Sequence, residues 1–278
     1  MPKFKKTLAF LSLVVLLAAS AQAGKFSLKF QVGGTYLMGG DYNKNMDGWR
    51  NYELSVIDPS ETFVDNLKKI GLGFQLGGEL LYELSPSFSA GIEIGYLKAS
   101  VESWFSRTWH NYKMTLNPAF SAVPILLNVH YFYALGGALR LHASAGAGVF
   151  LTHIVYGYAF EDTATPYHGT WTAKDKIVFG AKAGIGVEYG IASNLVLTFD
   201  IIGRLAQGQG YTGEYSGEFD GSPYSGAATA YYFDRDGQYP NIVFYSSPPV
   251  ENATHQNVRD AKFSFSGLAA LFGVKITL

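Results

Sequence analysis

The stretch IGLGFQLGGELLYEL, Ile70 to Leu84, carries the clearest statement of fold class. Ile70, Leu72, Phe74, Leu76, Leu80, Tyr82 and Leu84 share one parity, while Gly71, Gly73, Gln75, Gly77, Glu79 and Glu83 hold the other. Side chains of a strand point to opposite faces with period two, so this segment has one apolar face and one small or polar face. A soluble sandwich shows the same alternation with its apolar face turned inward. Three features separate the two readings: an export signal, richness in glycine and tyrosine, and a regular plan of short and long connections.

Lys3, Lys5 and Lys6 precede an apolar run from Leu8 to Ala19 and the small residues Ala21-Gln22-Ala23, the pattern of a secretory signal over 1–23 cleaved before Gly24. A single barrel domain is expected over 24–278. Taking the three signal lysines from the 21 basic residues leaves 18 against 22 acidic ones, a formal charge of −4 that makes no electrostatic case for nucleic acid. With no cysteine, disulfides and thiolate metal sites are excluded. No later apolar run reaches the roughly 18 to 20 residues that a spanning helix needs. The 32 glycines, 20 phenylalanines and 19 tyrosines suit curved strands with small inward residues and aromatic girdles.

Eight strands are expected, at about 25–38, 68–84, 88–101, 119–133, 138–152, 176–190, 195–206 and 262–278, each long enough to cross a bilayer when tilted. Val123, Ile125, Leu127, Val129, Tyr131 and Tyr133 face out in the fourth, and Leu268, Ala270, Phe272, Val274, Ile276 and Leu278 in the last. Phe263 and Phe265 sit on the opposite parity, so a bulge near Gly267, or a strand that has left the membrane there, is expected. Ser85 to Ser87, Ala134 to Gly137 and Ile191 to Asn194 read as tight turns, and about 39–67, 102–118, 153–175 and 207–261 as long loops that hold Trp49, Trp104, Trp109 and Trp171. Outer-membrane barrels put short turns in the periplasm and long loops outside, so both termini are expected to be periplasmic. The fold expected is all-β, a transmembrane antiparallel up-and-down barrel of eight strands. Ala228 to Phe233 and Ile242 to Tyr245 form a hairpin above the membrane, or alternatively two more spanning strands, giving ten. Tyr82, Phe88, Tyr131, Tyr133 and Tyr189 flank the tight turns and form an aromatic girdle at one water-lipid boundary.

The inward parity carries Lys29, Arg140, Lys182, Arg204 and Lys275 with Glu79, Glu83, Glu93, Glu188 and Asp200. An eight-stranded barrel is just wide enough for side chains to fill it, so these charges are expected to pair and plug the lumen. Glu79 opposite Glu93 needs a cation between them, with Lys29 or Arg140 in reach. A selective ion or proton path is the alternative use of the same residues. His142 and Ser144, with His130 across the turn, have the spacing of a lipid A deacylase, but both point into the lumen and read as packing. Asp234-Arg235-Asp236-Gly237 lacks the later ligands of a calcium loop and reads as a turn. In the last long loop, Tyr215, Tyr231, Tyr232, Asp234, Asp236 and Tyr239 form a candidate surface-binding set, because tyrosine gives rigid amphipathic contact area.

VPILLNVHYFY at Val123 to Tyr133, FGAKAGIGVEYGI at Phe179 to Ile191 and LFGVKITL at Leu271 to Leu278 resemble strands of the small eight-stranded outer-membrane barrels, the OmpA, OmpX and OmpW-like and porin-family proteins. The resemblance covers residues 24 to 278. It implies the Gram-negative outer membrane, with lipid and lipopolysaccharide around the wall. It also implies the barrel-assembly machinery as a partner in biogenesis, although the usual terminal aromatic residue is Leu278 here. The expected role is non-enzymatic: a closed, charge-paired barrel, without cofactor and monomeric, serving envelope structure and surface contacts through its loops, the extracellular ligand being unknown. A narrow OmpW-like transporter or channel for small solutes is the alternative.

Overall fold

The structure, a computed structural model, describes residues 26–108, 112–161 and 167–278; the signal segment 1–23 and Trp109 lie outside the described residues. In chain order its elements are β1 (Phe26–Leu37), α1 (Asp41–Val56), β2 (Phe63–Asn66), β3 (Leu72–Ser85), β4 (Phe88–Ser100), β5 (Ser103–Arg107), β6 (Tyr112–Gly136), β7 (Leu139–Glu161), β8 (Tyr167–Ala173), β9 (Lys176–Ala192), β10 (Leu195–Gln209), β11 (Thr212–Phe219), β12 (Ser222–Arg235), β13 (Tyr239–Tyr245), β14 (His255–Asp260), β15 (Lys262–Ser264) and β16 (Gly267–Thr277). Strands β1, β3, β4, β6, β7, β9, β10 and β16 pair antiparallel in that order, and β16 closes on β1. The ring therefore has the eight expected members. The β12–β13 hairpin lies outside it, so the ten-stranded alternative does not hold.

At one end of the ring the connections are two residues long, Pro86-Ser87, Gly137-Ala138 and Ser193-Asn194. Outward side chains of the wall are apolar and uncovered: Leu72 and Phe179 are 81% and 82% exposed, and Leu127, Ile185, Leu205 and Phe272 are also exposed. Burying one such side chain is worth about 1.5–3 kcal/mol, so a continuous belt of them requires a hydrocarbon surrounding. Phe88, Tyr131, Tyr133 and Tyr189 ring the two-residue turns, with Phe88 on Tyr131 at 5.1 Å and Tyr82 on Phe26 at 4.9 Å.

Strands β6 and β7 run well past the belt, which the expected bounds of 119–133 and 138–152 missed. The alternation continues there with its polarity reversed. Along β6 the inward residues Asn128 and His130 give way to Leu126, Ala122, Phe120, Leu116 and Met114, all buried. The outward residues Leu127, Ile125 and Val123 give way to Ser121, Asn117 and Thr115. In the belt the chain is apolar outside and polar inside; above it the chain is polar outside and apolar inside, as a water-soluble fold must be.

The upper sheet, called the head below, has strand order β13-β12-β11-β8-β7-β6-β5-β2. Its two edges are joined by α1, a segment expected to be a loop. Tyr42, Met46 and Trp49 are spaced for one helical face but lie among asparagines and Gly48, and Gly40 offers no side-chain cap, so the sequence signal is weak. The helix covers the β13 edge: Ile242 N–H donates to Asn45 Oδ1 at 3.0 Å, and Trp49 Nε1 donates to Asn241 Oδ1 at 3.1 Å. Gly48 permits this approach, because a Cβ there would lie 1.9 Å from the Pro240 carbonyl. Arg50 fastens the other side to Asp65 of β2. Inside, Tyr42, Phe105, Phe120, Phe150, Trp171, Phe263 and Phe265 make one buried apolar core. Ile70, expected on the lipid face, belongs to it and is fully buried ahead of β3. Phe263 precedes a two-residue break, Phe265-Ser266, and both phenylalanines are buried in the head core, so the last strand has left the belt there.

Leu127→Arg is expected to cost about 2–4 kcal/mol, the penalty for a cation near the bilayer midplane. Thr115→Arg, on the same parity of the same strand but in the head, should change stability by less than about 0.5 kcal/mol. Urea unfolding in lipid vesicles checks both; equal penalties would contradict the reversal.

Candidate functional site

Most inward charges of the ring find partners beyond the neighbouring strand; Arg140 and Glu188, opposed on β7 and β9, are the pair that forms along the wall. Three like-charged pairs face each other on neighbouring strands: Glu79 and Glu93, Lys29 and Lys275, Lys182 and Arg204. Directly opposed like charges are destabilising, and each pair is relieved by partners on other strands. The Glu93 carboxylate accepts from Lys182 and, at 2.9 Å, from Asn128 Nδ2. Glu79 Oε1 is bonded to Asn128 Nδ2 at 2.6 Å and to His130 Nε2 at 2.8 Å. The cation beside the two glutamates is thus Lys182. Neither of the two candidates from the sequence fills that place: Arg140 is bonded to Glu188, its register partner on β9, and Lys29, although level with Glu79 on the adjacent strand, turns to Asp200.

Asp200 is bonded to Lys29 Nζ at 3.1 Å, to Gln31 Nε2 at 2.5 Å and to His142 Nε2 at 2.6 Å. Glu188 accepts from Arg140 at 2.6 Å and from Lys275. The ring of Phe132 lies between these two cations, 5.1 Å from the Arg140 guanidinium and 4.9 Å from the Lys275 ammonium. Arg204 donates to Gln75 Oε1 at 2.7 Å, Thr35 Oγ1 at 2.9 Å and the Phe265 carbonyl at 2.9 Å, joining the charged layer to the head core above. Glu83 is exposed near the turn end and stands outside these bonds, so the network has nine of the ten expected charges. Asn128, His130, Phe132, His142, Gln31 and Gln75 complete it. Their inward parity was readable, but a neutral or aromatic residue carries no charge to announce a partner.

His142 and Ser144 are buried on the lumen side, with His142 held by Asp200. Asp236 and Gly237 take positive φ angles in the β12–β13 turn, and among the described residues no group of three potential ligands could hold a metal. The expected surface-binding set is split apart. Tyr232 is buried and covered by the Arg259 guanidinium 3.9 Å from its ring, and Tyr239 packs on Tyr52 at 5.6 Å. Tyr232 donates to Asp234 at 2.6 Å, and Asp236 is exposed at the turn. Tyr215 turns to the inner face of the head, because it is paired with Gly226 and so shares a face with Ala228, Ala230 and Tyr232 of β12, whereas Tyr231, on the other parity of β12, turns to the outer face.

At the helix base, Asp41 accepts from Arg259 at 2.6 and 3.0 Å and from the Lys262 N–H at 2.7 Å. Burial pushes its carboxyl up, but the Arg259 bonds, the Lys262 N–H and nearby Lys44 outweigh this and hold it below its ordinary value. Asp65 is held low chiefly by Arg50.

The family model described as outer membrane protein beta-barrel domain matches residues 9–207. Similar solved structures include a major outer membrane protein from Thermus thermophilus, 15% identical with a TM-score of 0.44, the match covering 90% of this chain and 100% of that one. The outer membrane protease OmpT from Escherichia coli is 8% identical with a TM-score of 0.40, covering 92% of this chain and 98% of that one. OprG from Pseudomonas aeruginosa is 9% identical with a TM-score of 0.34, covering 93% and 98%. No curated protein matches the sequence.

Lys182→Met leaves Glu93 buried without its cation and should cost about 3–5 kcal/mol, whereas Lys182→Met combined with Glu93→Leu should recover most of the loss. A double-mutant cycle of urea unfolding reads this; additive losses would count against the pairing. The depressed Asp41 carboxyl stabilises the head fully above its ordinary value of 3.8, and that contribution is lost as pH falls through the lower folded value. Fluorescence of Trp49, Trp104 and Trp171 should report loosening in that acid range. Asp41→Asn should be less stable at neutral pH with a shallower acid dependence.

Proposed function

Because the chain belongs to the outer membrane protein β-barrel domain family, we propose that it serves the bacterial outer membrane as a closed, non-enzymatic barrel that carries a folded head for contacts at the cell surface. The two-residue turns and both termini then lie in the periplasm, and the head stands outside. Lipid and lipopolysaccharide surround the belt, the barrel-assembly machinery acts during biogenesis, and the protein works as a monomer.

One observation carries this reading: side chains cross the bore at one level and an apolar core lies above them at a second. Charge pairs tie strands across the lumen, as in Lys182 of β9 with Glu93 of β4, and directly above them the apolar core of the head packs over Arg204. A solute on the barrel axis meets side chains at both levels. The inward burial of His142 and Ser144 supports the non-enzymatic part, since a lipid-cleaving pair needs access to the bilayer.

Planar-bilayer recording tests it. The purified protein should show no discrete openings. Openings in the wild type whose size changes with Glu79→Gln or Arg140→Gln would overturn the closed reading in favour of a narrow transporter.

A further inference from the structure

At the distal end of the head, four strands place an aromatic trough that the barrel does not use. One cross-strand row runs Tyr158 on β7, Gly169 on β8, Gly217 on β11 and Tyr224 on β12. The two tyrosines lean toward each other over the glycine pair, and their hydroxyls meet at 2.7 Å. The glycines are required: a Cβ at Gly169 would lie 2.7 Å from both hydroxyls, and one at Gly217 would lie 2.8 Å from that of Tyr224. The next row outward brings Phe160, Tyr167 and Phe219 together, with Phe160 stacked on Tyr167 at 4.9 Å. Tyr215 lies 5.6 Å from Tyr224. Tyr167, Phe219 and Tyr224 line a cavity of about 330 Å³, and Phe219 is half exposed.

The chemistry of this wall selects its occupant. The side chains lining the cavity carry no charge, and burial together with the Tyr224 hydroxyl pushes the Tyr158 phenol above its ordinary value, so it stays a neutral donor and acceptor. Glu214 and Glu218 lie on the opposite face of the same sheet, and Asp220 lies at the β11–β12 turn, which disfavours an anionic ligand. Flat rings edged by hydroxyls suit a molecule with apolar C–H faces and an equatorial rim of hydroxyls, because the negative ring face attracts polarised C–H groups while the phenols hydrogen-bond. Phe160 lies nine positions along β7 from Leu151 in the belt, about 30 Å of strand, so the trough is out of reach of lipid tails.

We propose that this trough is a carbohydrate subsite that takes an uncharged pyranose of a surface glycan. It rests on the reading of the head as a surface-contact element. The test is titration calorimetry of the full protein, in a detergent without a sugar headgroup, with maltohexaose, cellohexaose and N-acetylchitohexaose, and with heparin as the anionic comparison. At least one neutral hexasaccharide should bind saturably at millimolar concentrations and with little dependence on salt. Tyr167→Ala should weaken it about tenfold, the worth of one stacked ring, and Tyr224→Phe, which keeps the ring and removes a hydroxyl, should weaken it severalfold. Unchanged tryptophan fluorescence shows that each variant keeps its head. The proposal fails if none of the three neutral sugars binds, if heparin is preferred, or if both variants bind as the wild type does. Such a failure in a protein that is electrically silent leaves the closed-barrel reading standing, whereas discrete openings with sugar binding intact remove that reading alone.

Discussion

Strand pairing carries one pleat parity unbroken from hydrocarbon into water, and the remaining architecture follows from that. In β6 and β7 the face that looks at lipid near Leu127 and Ala147 looks at water near Ser121 and His153, with no bulge between them. Backbone bonding forbids the faces from exchanging places, so the residue types must exchange instead. The result is one continuous wall around two interiors of opposite chemistry. Below, the interior is charged because the apolar side chains are spent on lipid. Above, it is apolar because that is what holds a fold together in water.

The two interiors solve different problems. The lower one must hold buried charge, which is tolerable only when each group finds a partner. Partners along the wall are often of the wrong sign, so the bonds run across the bore and brace strands far apart in the ring, as Arg204 of β10 does with Gln75 of β3. The upper interior must close a sheet that has two free edges. Helix α1 does this with polar side chains aimed at backbone and carboxylate groups, Asn45 to Ile242 on one side and Arg50 to Asp65 on the other. Its base is fixed where Asp41 meets Arg259 and Lys262. Unpaired edges are sites of unwanted strand addition, and a helix over them removes the hazard. Arg204 is where the two solutions touch, bonded to polar groups of the wall and to the carbonyl of Phe265 in the head core.

Much of the local pattern within the belt was legible in the chain itself. The ring of eight, its short turns, the outward parity from Phe26 to Val274 and the inward placement of nine charges all follow from period two and from turn residues. Which carboxylate meets which cation was not legible, because register and strand order set those distances: Lys182 reaches Glu93 across the bore, while Lys29, level with Glu79 on the adjacent strand, turns to Asp200. The helix was hidden because its stability comes from two sheet edges that exist only after the head has folded. The tyrosines of the trough were hidden likewise, since Tyr158 and Tyr224 lie 66 positions apart in the chain and are brought together by two intervening strands. Pattern is read from neighbours a few residues away; pairing across a closed sheet is set by residues that become neighbours through folding alone.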